Sequence, residues 1–401
     1  MKGASGSKPC PTCQNLLQFV PEESLVDNGL VGLACADMGQ LQYHANESFY
    51  EMIDRLRVAH AQPGGRSMVA KLERTFGVNF DLDSLLFDAD LRSIVRPRDH
   101  YCRDWMHTLM SQGVAGTESA MLMAALREAG FDHGMLTMFA SSFKLPKSRG
   151  KVDVSWFAAR RVGDDHLRSF ASEQLNMLPI LRAFLEDVVA PKGILEENIR
   201  CFTLLSAIVC SLQSGPAAVL SNIDRFRNLI LAHHRLFVQL YPSGVKPKFH
   251  HLLHLPEDIE RMGAALSCFP MERKHKTVKV ASLNVFRHFE RTVLVELAHH
   301  QLKRLVDPSL LQPASLIDAQ AVVDRIAYRS RKMRLPVGET SMGDFCLTAD
   351  RRVCRCEAFL KVESQLFVLA ELFEPVRPTV WRSASAHIVA LVPEEVVALL
   401  P

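Results

Sequence analysis

The chain of 401 residues contains no apolar run approaching the ~20 residues that a membrane span requires; its longest, around Leu204 to Leu212, is far shorter. The opening Met1-Lys2-Gly3-Ala4-Ser5-Gly6 lacks the apolar core of a secretory signal. Charge of one sign is lacking too. Forty-seven Lys and Arg face 44 Asp and Glu, a formal balance of +3, so any nucleic-acid surface has to be a local patch. Ten Cys spread over so long a chain are too sparse for a disulfide framework and point to a reducing compartment. No repeat of fixed period is found. The expectation is a soluble intracellular protein, nuclear or cytoplasmic, with no membrane partner. What is present fits a globular chain: 48% hydrophobic and 23% charged residues exclude wholesale disorder, and the length favours two or three units. Sixteen His are a weak pointer to metal, proton or phosphate chemistry.

After a small, basic, turn-rich opening, three-four apolar spacing predicts helices. Phe49, Met52, Ile53 and Leu56 mark the first, stopped by Pro63-Gly64-Gly65, and Ser67 to Phe76 forms the second before Gly77. Further helices are expected at Ser119 to Ala129, around Leu178 to Val188, and at Ile194 to Leu212. Val219 to Leu240, Lys246 to Gly263 and Leu283 to Leu305 continue the series, with a short one near Asp318 to Ala327. From Phe345 to Leu372, and again from Trp381 to Val392, apolar positions alternate among β-branched and aromatic residues, the pattern of strands. The predicted fold class is mainly α. A Cys-x-x-Cys segment (1–45) precedes a helical body (46–330), and a small β-rich C-terminal unit (340–401) follows.

Four short strings carry chemistry. Cys10-Pro-Thr-Cys13 has the gap that lets two thiolates meet one zinc ion, although a lone pair is half a site; an unbound structural pair and a redox motif are the alternatives. Asp104 and His107, three apart, share a helix face, where they can share a metal or simply bond to one another. His250 and His254 stand at i,i+4, a spacing that fits zinc, but His251 occupies the place of a metalloprotease glutamate, so that reading is rejected and core histidines are favoured. Met271-Glu272-Arg273-Lys274-His275-Lys276 embeds one carboxylate in a basic run. From Lys246 to Arg304, eleven Lys and Arg face six Asp and Glu, a local balance of +5. A solvated helical face is the plain reading. A phosphate-contacting surface that includes Lys246, Lys248, Arg273, Lys274, Lys276 and Lys279 is the sharper one.

The order of these strings resembles the downstream half of CACTA-type (En/Spm-like) DNA transposon transposases: Lys8 to Cys13, Asp104 to His107, Lys248 to Glu257, then Phe269 to Arg273. The resemblance spans roughly residues 1 to 305. It implies a ribonuclease-H-like core in which acidic residues hold two Mg2+ or Mn2+ ions for DNA strand transfer. Glu272 matches the third catalytic acid, Asp104 and His107 the Asp-x-x-His signature, and Cys10 and Cys13 the Cys-x-x-Cys signature. The helices between Asp104 and Glu272 match the family's helical insertion. In that family the first two catalytic Asp lie upstream of the Cys pair, whereas the nine residues before Cys10 include no acid. The expectation is therefore a truncated, transposon-derived chain that binds DNA weakly and non-specifically without catalysing transfer. A non-catalytic binding module and a zinc-stabilised scaffold are the alternatives. Each of the pairs Cys10/Cys13 and Asp104/His107 is half a zinc site by ligand count, and the resemblance has them occur together, so one joint structural zinc site is expected; the competing arrangement keeps Asp104 and His107 beside Glu272, with Cys10 and Cys13 unpaired.

Overall fold

The computed structural model describes residues 8, 10–15, 34, 37–110, 112–145, 151–163, 165–269, 294–295, 298, 314–323, 327–335, 338–377 and 380–399. It is mainly helical, with a strand-rich C-terminal part. Two units emerge: Met1–Leu136 with Trp156–Cys268, and Thr137–Ser155 with Phe269–Pro401.

In the first unit, α1 (Asn46–Ala61) buries Phe49, Tyr50, Met52, Ile53, Leu56 and Ala59 along one stripe. It packs on α2 (Arg66–Phe76), which ends where Gly77 takes the left-handed conformation that a helix stop of this kind needs. Two short helices follow, α3 (Pro97–His100) and α4 (Trp105–Leu109). In α5 (Val114–Glu128) every residue from Val114 to Ala120 is buried, so its first turns are enclosed on all sides. After α6 (His133–Ser141) comes α7 (Ala171–Phe184). α8 (Glu196–Gln213) packs along α10 (Ile223–Leu240), with α9 (Pro216–Leu220) linking them. Phe202 and Phe237 are fully enclosed there, each worth ~1.5–3 kcal/mol of burial.

The predicted helix from Lys246 to Gly263 is a pair, α11 (Pro247–Leu253) and α12 (Leu255–Met262). Pro256 sits in the first turn of α12, where a missing N–H costs nothing, and His254 is both the last cap of α11 and the first of α12. This pair lies against α10, and α11 also touches α4. That packing sets the position of His250 and His254.

Among the described residues, the second unit contains ten strands. β1 (Ser315–Ile317), β4 (Lys332–Leu335) and β5 (Gly338–Ser341) form one antiparallel sheet. The other is built around β7 (Val353–Val362). Its edges pair with β8 (Gln365–Arg377), β6 (Phe345–Thr348) and β3 (Ala327–Ser330), which extend to β9 (Val380–Leu391), β10 (Val396–Leu399) and β2 (Gln320–Val323). Met333, Leu335, Phe359, Val368 and Leu391 pack with three cysteines in its core. The short helix expected near Asp318 to Ala327 is instead the β2–β3 hairpin, and strands begin at Ser315, ahead of residue 340. Asp318 takes a left-handed φ of 53°, the turn that separates β1 from β2. The helix expected at Leu283 to Leu305 lies largely outside the described residues.

Candidate metal centre

The Cys10-Pro-Thr-Cys13 turn is held as a short antiparallel ladder against residues 40–44. The Gln14 N–H donates to the Gln42 carbonyl (2.8 Å), the His44 N–H to the Thr12 carbonyl (3.0 Å), and Cys13 bridges Tyr43. Asn15 closes the ladder from its side chain, donating to the Gln40 carbonyl and accepting from the Gln42 N–H. This pairing holds the short polar stretch Thr12 to Asn15 in place. It turns both sulfurs inward, onto α11 and α12.

There they meet His250 and His254, which α-helical i,i+4 spacing stacks on one face. The four ligand atoms lie within 4.8 Å of one another, and all four residues are buried. Both Nε2 atoms point at the sulfurs. His250 Nε2 is 3.4 Å from Cys10 Sγ and 3.3 Å from Cys13 Sγ; for His254 the distances are 3.5 and 3.3 Å, and the two nitrogens are 2.9 Å apart. Zinc bonds of about 2.3 Å to sulfur and 2.0–2.1 Å to nitrogen, at tetrahedral angles, put sulfur and nitrogen about 3.5 Å apart and two nitrogens about 3.3 Å apart. The cluster therefore needs only a few tenths of an ångström of expansion to hold a metal such as zinc.

The surroundings complete that chemistry. Burial alone would raise the Cys10 thiol, but hydrogen bonding from Cys13 and the charge and hydrogen bonds of the imidazoles hold it well below the ordinary thiol value. Cys13 is pushed up by its bond to Cys10 and by burial. Burial lowers His250, which keeps it neutral and able to ligate. Arg103, with a side chain only 2% exposed, donates to Cys10 Sγ (3.5 Å), to Thr12 Oγ1 and to Asp258 Oδ2 (2.9 Å). On the far side of His254, Nδ1 makes no hydrogen bond and faces the Glu257 carboxylate at 4.0 Å. Burial opposes ionisation of Glu257, but His254 and Arg98 hold its pKa down to about 2.

The fold thus joins Cys10 and Cys13 to His250 and His254, where sequence reading joins them to Asp104 and His107 and sends the histidines to the core. Asp104 is the N-cap of α4: its carboxylate accepts from the backbone of Met106 (3.0 Å), His107 (3.1 Å) and Cys268 (3.0 Å), and from His107 Nδ1. Burial would raise its pKa; these donors outweigh that and lower it. Asp104, His107 and Cys268 form a second, partly exposed group of three donors. Lys246 pairs with Asp165 (2.9 Å), and Lys248 is half-buried, its amine lowered by burial. Glu272, Arg273, Lys274, Lys276 and Lys279 lie outside the described residues. Comparison of the chain with family models, curated proteins and solved structures finds no match in any of the three.

Proposed function

We propose that this chain is a zinc-clamped helical module of a transposon-derived protein, in which the metal has a structural and not a catalytic task. One observation carries the reading: two strings about 240 residues apart, Cys10/Cys13 and His250/His254, supply a closed set of four buried soft and borderline donors. Four protein ligands leave no open coordination position, the arrangement of structural zinc. The ion's part is to fasten the N-terminal turn to α11 and α12, and through them to α10 and α4.

The transposase resemblance draws support from the same contacts. The two strings that supply the clamp are two of the four on which that resemblance rests. The third, beginning at Asp104, bonds to the backbone of Cys268, next to the start of the fourth. Mg2+ or Mn2+ chemistry has no such support. Each candidate ligand group among the described residues includes sulfur or nitrogen donors, whereas Mg2+ wants oxygen. Asp104 is already committed as a cap. DNA is the partner the reading carries, through the basic span that begins at Lys246, with weak and strongly salt-dependent binding.

The experiment is elemental analysis of the purified chain after desalting, with wild type compared with Cys10→Ser and His254→Ala. Each substitution is expected to remove about one zinc equivalent. Zinc content that survives both substitutions together ends the clamp. Fluorescence anisotropy of a labelled duplex at two salt concentrations tests the partner, and binding indifferent to salt removes it.

A further inference from the structure

A second set of donors, sharing no residue with the first, comes from three different helices: Glu118 of α5, Cys201 of α8 and His233 of α10. Their ligand atoms lie within 4.8 Å of one another, and the residues are 1%, 0% and 0% exposed. Glu118 Oε2 and His233 Nε2 are 2.6 Å apart. The plain account is a buried ion pair, and it fits poorly. Glu118 Oε1 and His233 Nδ1 make no hydrogen bond, although the interior around them is apolar: Phe237 and Phe249 rings lie 5.8 and 6.3 Å from the imidazole. A buried polar atom without a partner costs ~1–3 kcal/mol, more for a charged group. Cys201 brings a third donor atom to the same point.

A divalent ion would give the unpaired Glu118 oxygen a partner and account for three buried donors meeting at one point. Carboxylate and thiolate would cancel its two charges, a neutral imidazole would complete the set, and the apolar core would enclose a neutral unit. Binding displaces the Cys201 proton to solvent, since sulfur ligates as thiolate. One oxygen, one sulfur and one nitrogen donor favour zinc over magnesium or calcium. We propose that Glu118, Cys201 and His233 form a second, buried zinc site that ties α5, α8 and α10 together. Three protein donors leave the fourth position to a small ligand such as water.

The test is zinc stoichiometry of the full chain. Wild type is expected to hold about two equivalents, and Cys201→Ala or His233→Ala about one, with helical circular dichroism retained. Cys10→Ser in the same assay separates the two sites: if it leaves zinc unchanged while Cys201→Ala lowers it, the clamp fails and this site stands. Wild-type zinc of one equivalent that Cys201→Ala leaves in place overturns the proposal. Cobalt substitution covers the case in which the alanine variants do not fold. The sulfur-to-cobalt charge-transfer band of the isosteric Cys201→Ser variant is expected to fall by about one third, as one of three ligating thiolates is lost. An unchanged band overturns the proposal equally.

Discussion

Replacing Arg103 by methionine probes how the clamp is charged. Arg103 and Asp258 form a buried pair, with side chains 2% and 5% exposed. Removing one partner of such a pair costs ~3–5 kcal/mol, because the other is left in low dielectric. Asp258 keeps two compensations, the Arg103 backbone N–H at 3.0 Å and Arg261 Nη2 at 2.8 Å, so the lower end applies, about 3 kcal/mol. For a unit of this size, that lowers Tm by roughly 6–12 °C. The same guanidinium also faces the thiolates through Cys10 and Thr12, so zinc affinity is expected to fall about 10–100-fold. Denaturation in zinc-saturated buffer measures the first effect, and competition with a chromophoric chelator the second. Asp258→Asn on the Arg103→Met background should recover part of the stability, because it removes the orphaned charge, but none of the zinc affinity. A large loss of stability with zinc affinity unchanged would refute the electrostatic role given to Arg103 at the metal.

Acidification should release the clamp's metal. Zinc binds thiolate and neutral imidazole, so protons compete for each donor, and stability supplied by zinc is present at neutral pH and lost as pH falls. The lowered Cys10 and His250 resist that loss, whereas Cys13, pushed up by Cys10 and by burial, is the donor at which protons compete most strongly. A colorimetric chelator followed down a pH series checks this, and release that increases toward alkaline pH would contradict it. In the fold itself, Gly113→Ala should destabilise by ~1–3 kcal/mol or more, since the added Cβ would sit 2.3 Å from the Thr108 carbonyl oxygen and 2.6 Å from Leu109 backbone carbon. Chemical denaturation measures it, and a neutral result would mean that the α4–α5 connection is looser than described.

Periodicity made most of the helical body legible. A stripe such as Phe49, Met52, Ile53, Leu56 repeats over enough turns to be unambiguous, and Gly77 or Pro63 supplies the stop. The long strands were readable too, because apolar, β-branched and aromatic residues crowd Phe345 to Leu372, where β6, β7 and most of β8 lie. Asp318 to Ala327 misled for the converse reason. Gln-Ala-Val-Val is too short for period two and period 3.6 to be told apart, and its pairing with Ala327–Ser330 is a tertiary fact. The split of one predicted helix at His254 was marked by Pro256, which has no N–H to continue α11 and suits the first turn of a new helix.

The candidate site was half legible, and the missing half is instructive. Each of its two pairs had the right local spacing, yet nothing local connects residues 10–13 with residues 250–254. Joining Cys10 and Cys13 to Asp104 and His107 completed four ligands with the pair that the resemblance places in the same protein, and passed over the His250/His254 pair. A Cys-x-x-Cys turn and a His-x-x-x-His helix each lack two ligands, and together they make the closed four-ligand set that zinc favours. Asp104 held the contrary signal. An aspartate placed immediately before an apolar helical turn is first of all an N-cap, and the three backbone donors it accepts show that role filled. Glu118, Cys201 and His233 gave no signal of any kind, because each is a single polar residue on an otherwise apolar helix face. Only the packing of α8 against α5 and α10 turns three such faces toward one point. Spacing along the chain can nominate half-sites on one element; donors contributed singly by separate helices become visible only once the helices are packed.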